Sequence, residues 1–575
     1  MVGAFSSPAT SQYTPSPATP SSTQDLTFGV DPQYYNSDLM AGGESIQIPV
    51  NSQLMLLQVD DFPDGALNCA LDISQPVATG PYSEELSRFM MGDMSMPQIP
   101  MATQQPLALD SVEISSQTIP MSQATLGFNQ GRFNNTHLSH QKESPSRCQK
   151  YRSSFSTEQE RKDTAMTRKI GCCIRCRIQK IRCIADPTNP SCCQTCSRAK
   201  PNTPLWRIPC LRYKVSECEL FRPSTGVKGL EWTKRWAGTM DNIDTWAGDE
   251  VRVIFISGGY TRAGVPVKVR KFKPVVGDKV VRTWVSNGVK KSVDIPTWAI
   301  CDIKDAEAQY DRYLARGVAE CLDTVLQERD PLLRETYHIA FSILQDKSQT
   351  LGNRDLLAKT LKLWMAVRLT TKSSTIVGDE TLGMSQNIID DKSTEMHGKI
   401  PIPPVLGAQL DIILIDNIQK KLREDVLKVY NTMVTKNDKR SWLVIYVVTF
   451  ILLHNIAMIT AHDAGYADKH SLGRRFAREK KVEEYHLGAN ILLAHFHYCC
   501  RGRAPFEVSC KDSDLRAIAS LNDEQVKFIH QTRAFITASW EDIREKKEYE
   551  DDFFFVSQMY AKGWTPIQTE VVSKQ

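Results

Sequence analysis

Eight of the sixteen cysteines in this 575-residue sequence lie within 39 consecutive positions, a density typical of metal binding in a reducing compartment. The sequence begins without a signal-peptide pattern, so we expect thiols rather than disulfides. Two C-x2-C pairs are each followed by a third cysteine. A C-x2-C turn presents two thiolates to one ion and leaves backbone amides free to hydrogen-bond the sulfurs. The eight cysteines are Cys172, Cys173, Cys176, Cys183, Cys192, Cys193, Cys196 and Cys210.

The number of ligands available to each ion limits the kinds of site that these cysteines can form. Zinc takes four soft ligands in a tetrahedron, so six thiolates serve two ions only if two sulfurs bridge them. Such a cluster is negatively charged, and the surrounding lysines and arginines offset that charge. The alternative is two independent tetrahedral sites built from all eight cysteines, although adjacent cysteines rarely bind one ion comfortably. A structural zinc module that binds proteins rather than DNA also remains open.

The cysteine segment resembles the fungal Zn(2)-C6 binuclear cluster family of transcription factors. Cys173, Cys176 and Cys183 match the family's C-x2-C-x6-C first half, together with the basic residues that precede its third cysteine. The second half departs from the family pattern, because thirteen residues rather than the usual six to nine precede Cys210. The resemblance implies that two structural zinc ions are held, with Cys173 and Cys193 bridging. The implied ligands are Cys173, Cys176, Cys183, Cys193, Cys196 and Cys210.

The first half of the segment could also read DNA. We predict a short helix over residues 177–183, with Arg177 and Lys180 on a basic face and two isoleucines on a face that packs inward. In the major groove, Lys180 could donate to guanine and Gln179 could contact a neighbouring base edge. The resemblance implies CGG-like triplets as the site. The predicted phosphate contacts are Arg175, Arg177 and Arg182.

Charge is strongly segregated along the chain. Residues 1–141 contain thirteen acidic and two basic residues, whereas residues 142–216 contain seventeen basic and five acidic residues. The acidic stretch is rich in Ser, Pro and Gln and cannot bury enough apolar surface to fold, so we expect a disordered tail. Residues 54–64 mix leucines with aspartates, as activation segments do, although a stray apolar patch is an equal alternative. The basic stretch predicts a polyanionic partner.

The rest of the chain is expected to fold into a short β-containing segment and a large, mostly all-α regulatory domain. Between residues 251 and 300, β-branched runs alternate with turn residues, and Asn287-Gly288 is a plausible hairpin turn. The predicted organisation is a disordered acidic tail over 1–141, a basic linker over 142–167, a small zinc binuclear cluster domain over 168–221, a linker with short strands over 222–303, and a helical regulatory domain over 304–575.

Within the predicted helical domain, an apolar stripe recurs every four residues from Leu410 to Tyr430. It could be a helix–helix contact within the fold or the seam of a homodimer. A different run, residues 442–453, is apolar but too short to cross a bilayer, so we expect a buried core helix and no membrane insertion.

Other potential ligands and acid–base groups are expected to have structural roles. We predict a core helix end rather than a second metal site for His495, His497, Cys499, Cys500 and Cys510. Nothing in the sequence places a nucleophile beside His454, His462 and Asp463, and motifs for phosphate loops or nucleophile elbows are not found. We therefore do not expect an enzyme.

Taken together, the residues and the resemblance predict a sequence-specific, DNA-binding transcription regulator in the nucleus. Its expected partners are double-stranded DNA and, through the acidic tail, the transcriptional machinery. Alternatives are a zinc-stabilised protein-interaction module and an RNA-binding protein, although the core from Cys173 to Cys196 lacks the stacking aromatics that RNA recognition uses.

Overall fold

The computed structural model describes residues 157–567, except positions 190, 200–209, 225–231, 237–239, 241, 287–288, 328, 501–504, 537–538 and 562. The predicted acidic tail and its activation segment lie outside these residues. The described residues divide into two compact units, a short one that ends at Gly171 and a large one that begins at Cys172.

The short unit contains one helix, α1 (Glu158–Ile170), which has no buried residues. Thr157 begins it, because its side-chain oxygen accepts a hydrogen bond from the backbone nitrogen of Glu160 at 3.2 Å. This part of the predicted basic linker is therefore helical.

The large unit begins with the cysteine segment, which carries two short helices, α2 (Ile174–Ile178) and α3 (Gln194–Ser197). A five-stranded antiparallel sheet follows. Its neighbouring strands are, in order, β5 (Trp298–Ile300), β2 (Val265–Phe272), β1 (Trp246–Ser257), β6 (Thr375–Val377) and β7 (Ile400–Pro401). Residues that alternate along the central strands bury one face of this sheet, as Ile254 and Ile256 do in β1.

A separate hairpin consists of β3 (Val281–Ser286) and β4 (Val289–Asp294). Ser286 pairs with Val289, so the strands meet on either side of the predicted Asn287-Gly288 turn, and those two residues lie outside the described residues. The ring nitrogen of Trp284 donates to Asp391 at 2.8 Å, which attaches the hairpin to the loop before β7.

Helices make up most of the remaining chain, which confirms the prediction of a mostly helical C-terminal region. The C-terminal residues 523–545 form two helices rather than one, because the backbone becomes extended at Ile536. The helices are α4 (Ile303–Leu326), α5 (Pro331–Gln345), α6 (Leu351–Leu369), α7 (Pro404–Ile412), α8 (Lys420–Lys436), α9 (Trp442–Lys469), α10 (Glu479–Cys499), α11 (Asp512–Ala519), α12 (Asp523–Phe535), α13 (Ser539–Glu545) and α14 (Asp552–Val556).

Helix α9 is the centre of the helical region. The predicted apolar run is its first half, and α9 packs against α5, α6, α10 and α14. By length and composition the stretch Lys439–Lys469 could cross a membrane, but 94% of its most apolar window is buried inside the protein. A helix that is apolar on all sides and covered by other helices is a core helix.

The apolar stripe that could have been a dimer seam is buried within the chain. It runs along α7, a π-helical turn (Ile413–Gln419) and α8, which follow one another without a break. Leu410 and Leu414 are about 5% exposed, and Val426 and Tyr430 are fully buried. The stripe is therefore an intramolecular helix–helix contact, as the first of the two alternatives predicted.

The sheet and the helices share one hydrophobic core, which also contains Ile174 of α2. The strands therefore pack on the helices as part of one folded unit. Residues 222–303 were expected to be a linker with short strands. Arg222 strengthens this connection: it forms a buried ion pair with Asp411 in α7, and its Nε donates to the carbonyl of Thr370 at 2.7 Å.

Candidate metal centre and nucleic-acid interface

Two similar turns position the cysteines. Cys173 begins α2 and Cys193 begins α3, and each sulfur accepts a hydrogen bond from the backbone nitrogen three residues later, at 3.4 and 3.3 Å. Each cysteine thus acts as the N-cap of its own short helix. The C-x2-C spacing folds in this way because the helical turn places the second thiol, Cys176 or Cys196, beside the first.

Six sulfurs meet in two overlapping groups of four. One group contains Cys173, Cys176, Cys183 and Cys193, and the other contains Cys173, Cys193, Cys196 and Cys210. Within each group all sulfurs lie within 4.8 Å of one another, and Cys173 and Cys193 belong to both. These are the six cysteines that the sequence singles out, and the two shared ones are those that the resemblance implies as bridges.

The spacing of the sulfurs suits tetrahedral metal coordination. Zinc–thiolate bonds of about 2.3 Å place neighbouring sulfurs of a tetrahedron about 3.8 Å apart. The Sγ of Cys173 lies 3.9 Å from that of Cys193 and 3.7 Å from that of Cys196, and Cys176 lies 3.8 Å from Cys193. All donors are soft thiols, and Cys173, Cys176 and Cys193 are completely buried. This cluster could hold metal ions.

Nearby groups could support the charge of metal-bound thiolates. The guanidinium of Arg212 donates to the sulfur of Cys183 at 3.6 Å, and the backbone nitrogen of Cys193 donates to the sulfur of Cys210 at 3.3 Å. Such bonds orient the thiolates and stabilise their negative charge.

The remaining cysteines of this segment lie outside both groups. The thiols of Cys172 and Cys192 each point to the carbonyl oxygen of the next residue, at 3.5 Å. Cys218 is buried against α10, with its sulfur 3.6 Å from the carbonyl oxygen of Gly488. The arrangement therefore favours the six-sulfur hypothesis over two separate sites built from eight cysteines.

The DNA-reading helix predicted over residues 177–183 is wrong in its position, because α2 ends at Ile178. Lys180 has a left-handed backbone, with φ +54°, and the backbone nitrogens of Lys180 and Ile181 donate to the carbonyls of Arg177 and Cys176 at 3.2 and 3.0 Å. This Schellman turn stops the helix. It turns the chain back so that Cys183 reaches the sulfurs, which a straight helix over seven residues would prevent.

The predicted DNA-contacting residues divide between two surfaces. Gln179, Lys180 and Arg182 are exposed. Arg175 is only 8% exposed, and the guanidinium of Arg177 makes a 2.8 Å hydrogen bond with Nε2 of His495 in α10. The reason for this division is that α2 packs on α8 and α10, a tertiary contact that the sequence pattern did not indicate.

The last two histidines of α10, His495 and His497, have partners other than a metal. His495 contacts Arg177 and the carbonyl of Ile491, and His497 contacts the carbonyl of Gln558 at 3.0 Å. Burial lowers the pKa of both imidazoles to about 4, so they are neutral near pH 7. Sequence reasoning placed them in a core helix, but it missed the role of His495 as a partner of the cysteine segment.

Comparisons with known proteins add to this geometry. A family model described as KpeA transcription factor matches residues 221–559. The satratoxin biosynthesis SC3 cluster transcription factor SAT20 of Stachybotrys chartarum is 22% identical over 396 residues, which cover 66% of this chain and 52% of that protein. The transcription factor kpeA of Aspergillus oryzae is 23% identical over 312 residues, which cover 51% of this chain and 38% of that protein. No solved structure matches.

The matched range includes the sheet and the helical region but begins after the cysteine cluster. The chain spans about half or less of the length of these curated relatives. Their names support a role in transcription rather than in catalysis. Because the family match covers more than half of the sequence, this chain belongs to the KpeA transcription factor family of fungal transcription factors.

Proposed function

We propose that this chain is a sequence-specific DNA-binding regulator of transcription in the nucleus, and that a binuclear zinc cluster holds its DNA-reading turn. The observation that supports this proposal best is the pair of sulfur groups that share Cys173 and Cys193. Two zinc ions with six thiolate ligands would fill both groups, and each ion would have four sulfurs. The zinc is structural, since it cross-links segments that are too short to bury an apolar core.

The exposed turn after α2 carries the recognition chemistry. Lys180 has a left-handed backbone just after the end of the helix, and both Lys180 and its neighbour Gln179 are exposed. Lys180 would donate to guanine O6 or N7 in a CGG-like triplet, and Gln179 would contact the adjacent base edge. Arg182, which is also exposed, would bind phosphate.

The test is metal analysis followed by site selection with the purified full-length chain. We expect two zinc ions per chain and enrichment of short GC-rich duplex sites from a random pool. Chelation should abolish the selection, and zinc should restore it. A protein without metal, or a fully loaded protein that binds all duplexes alike, would contradict the proposal. A preference for single-stranded RNA would instead support the RNA-binding alternative.

A further inference from the structure

We propose that the surface formed by α8 and α10 is a docking site for the basic side of α2, and that DNA competes with it for Arg175 and Arg177. The inference rests on the proposed DNA-binding function. It adds an internal partner for the cysteine module, by which we mean residues 172–210. It assigns to His495 a role in holding that module against the helical region.

The polar contact at this docking site is specific. His495 Nδ1 lies 2.7 Å from the carbonyl oxygen of Ile491, so Nδ1 carries the hydrogen and donates it. Nε2 then has a lone pair, which accepts a hydrogen from the guanidinium of Arg177 at 2.8 Å. A neutral histidine in this tautomer is thus an acceptor for a cation that DNA phosphates would also bind.

Apolar residues of α2 are also buried against the helical region. Ile174 is fully buried in the same core as residues of α10, and the partly buried Ile178 packs against that core. The chain after the module also touches α10 closely: the position of a Cβ on Gly488 would lie 3.2 Å from the carbonyl oxygen of Glu219. Apolar packing and the hydrogen bond between Arg177 and His495 together hold the module against the helical region.

The docking site leaves the two arginines incompletely satisfied. The Nε atoms of Arg175 and Arg177 are buried and have no hydrogen-bond partner among the described residues. A buried donor without a partner destabilises the arrangement that buries it. Phosphate oxygens would supply the missing acceptors, so DNA offers these arginines more than the helical region does. Because these two donors lack acceptors in the docked arrangement, DNA can displace α2 from α8 and α10.

The docked arrangement and full DNA binding exclude each other at these residues. Docked, the module presents Lys180, Gln179 and Arg182, but Arg175 is 8% exposed and Arg177 is engaged by His495. Of the three predicted phosphate contacts, Arg182 is then the exposed one, while Arg175 and Arg177 are covered or engaged. The apparent affinity of the chain for DNA is lowered by the fraction of molecules that are docked.

The test compares His495→Phe with His497→Phe in the full-length, zinc-loaded chain. His497 is the control, because it is half-buried on the same helix and accepts no hydrogen bond from the described residues of the cysteine module. It contacts Gln558 and stacks on Trp564. Duplex binding is measured by fluorescence anisotropy at one salt concentration, and circular dichroism checks that both variants are folded. We expect His495→Phe to bind the selected duplex at least about fivefold more tightly than the wild type, because the docked state loses a hydrogen bond to a charged group. His497→Phe should stay within about twofold of the wild type.

Hydrogen exchange provides a second measurement that does not depend on a variant. In the wild type, DNA should accelerate exchange in α10 around residues 488–499, because the module leaves that surface. Equal affinities of the two variants, or unchanged exchange in α10 on saturation with DNA, would overturn the docking proposal.

Failure of the proposed function gives a different result. If the loaded wild type binds no duplex, DNA recognition is wrong, and the docking site is then judged by exchange in α2 without DNA. Faster exchange there in His495→Phe than in His497→Phe would support docking, and equal exchange would overturn it.

Discussion

The cysteine module and the helical region are stabilised by different means. In the module, the buried cluster consists of cysteines: Cys173, Cys176, Cys183 and Cys193. In the helical region, α9 is surrounded by aliphatic and aromatic side chains in a large continuous core. A segment of fewer than about 40 residues rarely buries enough apolar surface to fold alone, whereas the helical region is long enough to do so. Metal coordination would replace the missing core in the module.

This difference predicts that the helical region stays folded when the module is disrupted, whereas the module depends in part on the helical region. Ile174 of the module is buried in the core that the helical region forms, and Ile178 packs against that core. The module therefore has two supports, the metal ligands and the helical region, while most of the core of the helical region is its own.

The largest expected effect follows from removing a shared sulfur. Cys173→Ser should abolish binding of both metal ions and DNA binding with them, because this sulfur belongs to both groups and structural zinc sites stabilise by about 10–16 kcal/mol. Cys172→Ser is the control, since Cys172 lies outside both groups. Metal analysis checks the prediction, and loss of zinc from Cys172→Ser alone would contradict the assignment of ligands.

A substitution in the helical core should lower stability without loss of metal. Trp364 in α6 is completely buried and packs against Tyr337, with ring centroids 5.3 Å apart. Trp364→Ala should lower the free energy of unfolding of the helical region by about 3–5 kcal/mol, measured by urea denaturation, while metal content stays the same. Leu487→Ala, at a position 38% exposed on α10, should cost far less. Similar losses in both variants would show that the core assignment is wrong.

Within the module, the effects of a base-reading residue and of a phosphate-binding residue should be separable. Lys180→Ala should cost about 1–3 kcal/mol on the selected site and flatten the base preference, whereas Arg182→Ala should weaken all duplexes alike. Binding to selected and scrambled duplexes measures both effects. If Lys180→Ala weakened the two duplexes equally, Lys180 would be a phosphate contact rather than a reader of bases.

The smallest expected effect concerns the backbone at the same residue. Lys180 has a positive φ, which costs a lysine about 1 kcal/mol relative to glycine. The free energy of zinc-dependent unfolding should therefore be about 1 kcal/mol higher for Lys180→Gly than for Lys180→Ala. Both variants should lose the base preference to the same extent. A less stable Lys180→Gly would indicate that the side chain itself supports the turn.

Predictions from sequence were most successful where a residue pattern is tied to a local geometry. The C-x2-C spacing places two thiols on one helical turn, and the apolar run at residues 442–453 begins a buried helix. Prediction failed where distant contacts decide. The turn at Lys180 brings Cys183 to sulfurs seven to ten residues away in the chain. The strands join the helical core because residues such as Ile254 of β1 are buried in the same cluster as residues of the helices.

The residues alone determined that thiolates are concentrated in one basic segment and that a helical region follows, because spacing, charge and periodicity are properties of neighbouring positions. Only the tertiary structure decided that Cys173 and Cys193 belong to both sulfur groups and that Arg177 contacts His495. These contacts join residues 20 and 318 positions apart. Their free energy depends on the packing of whole elements, which a local pattern does not contain.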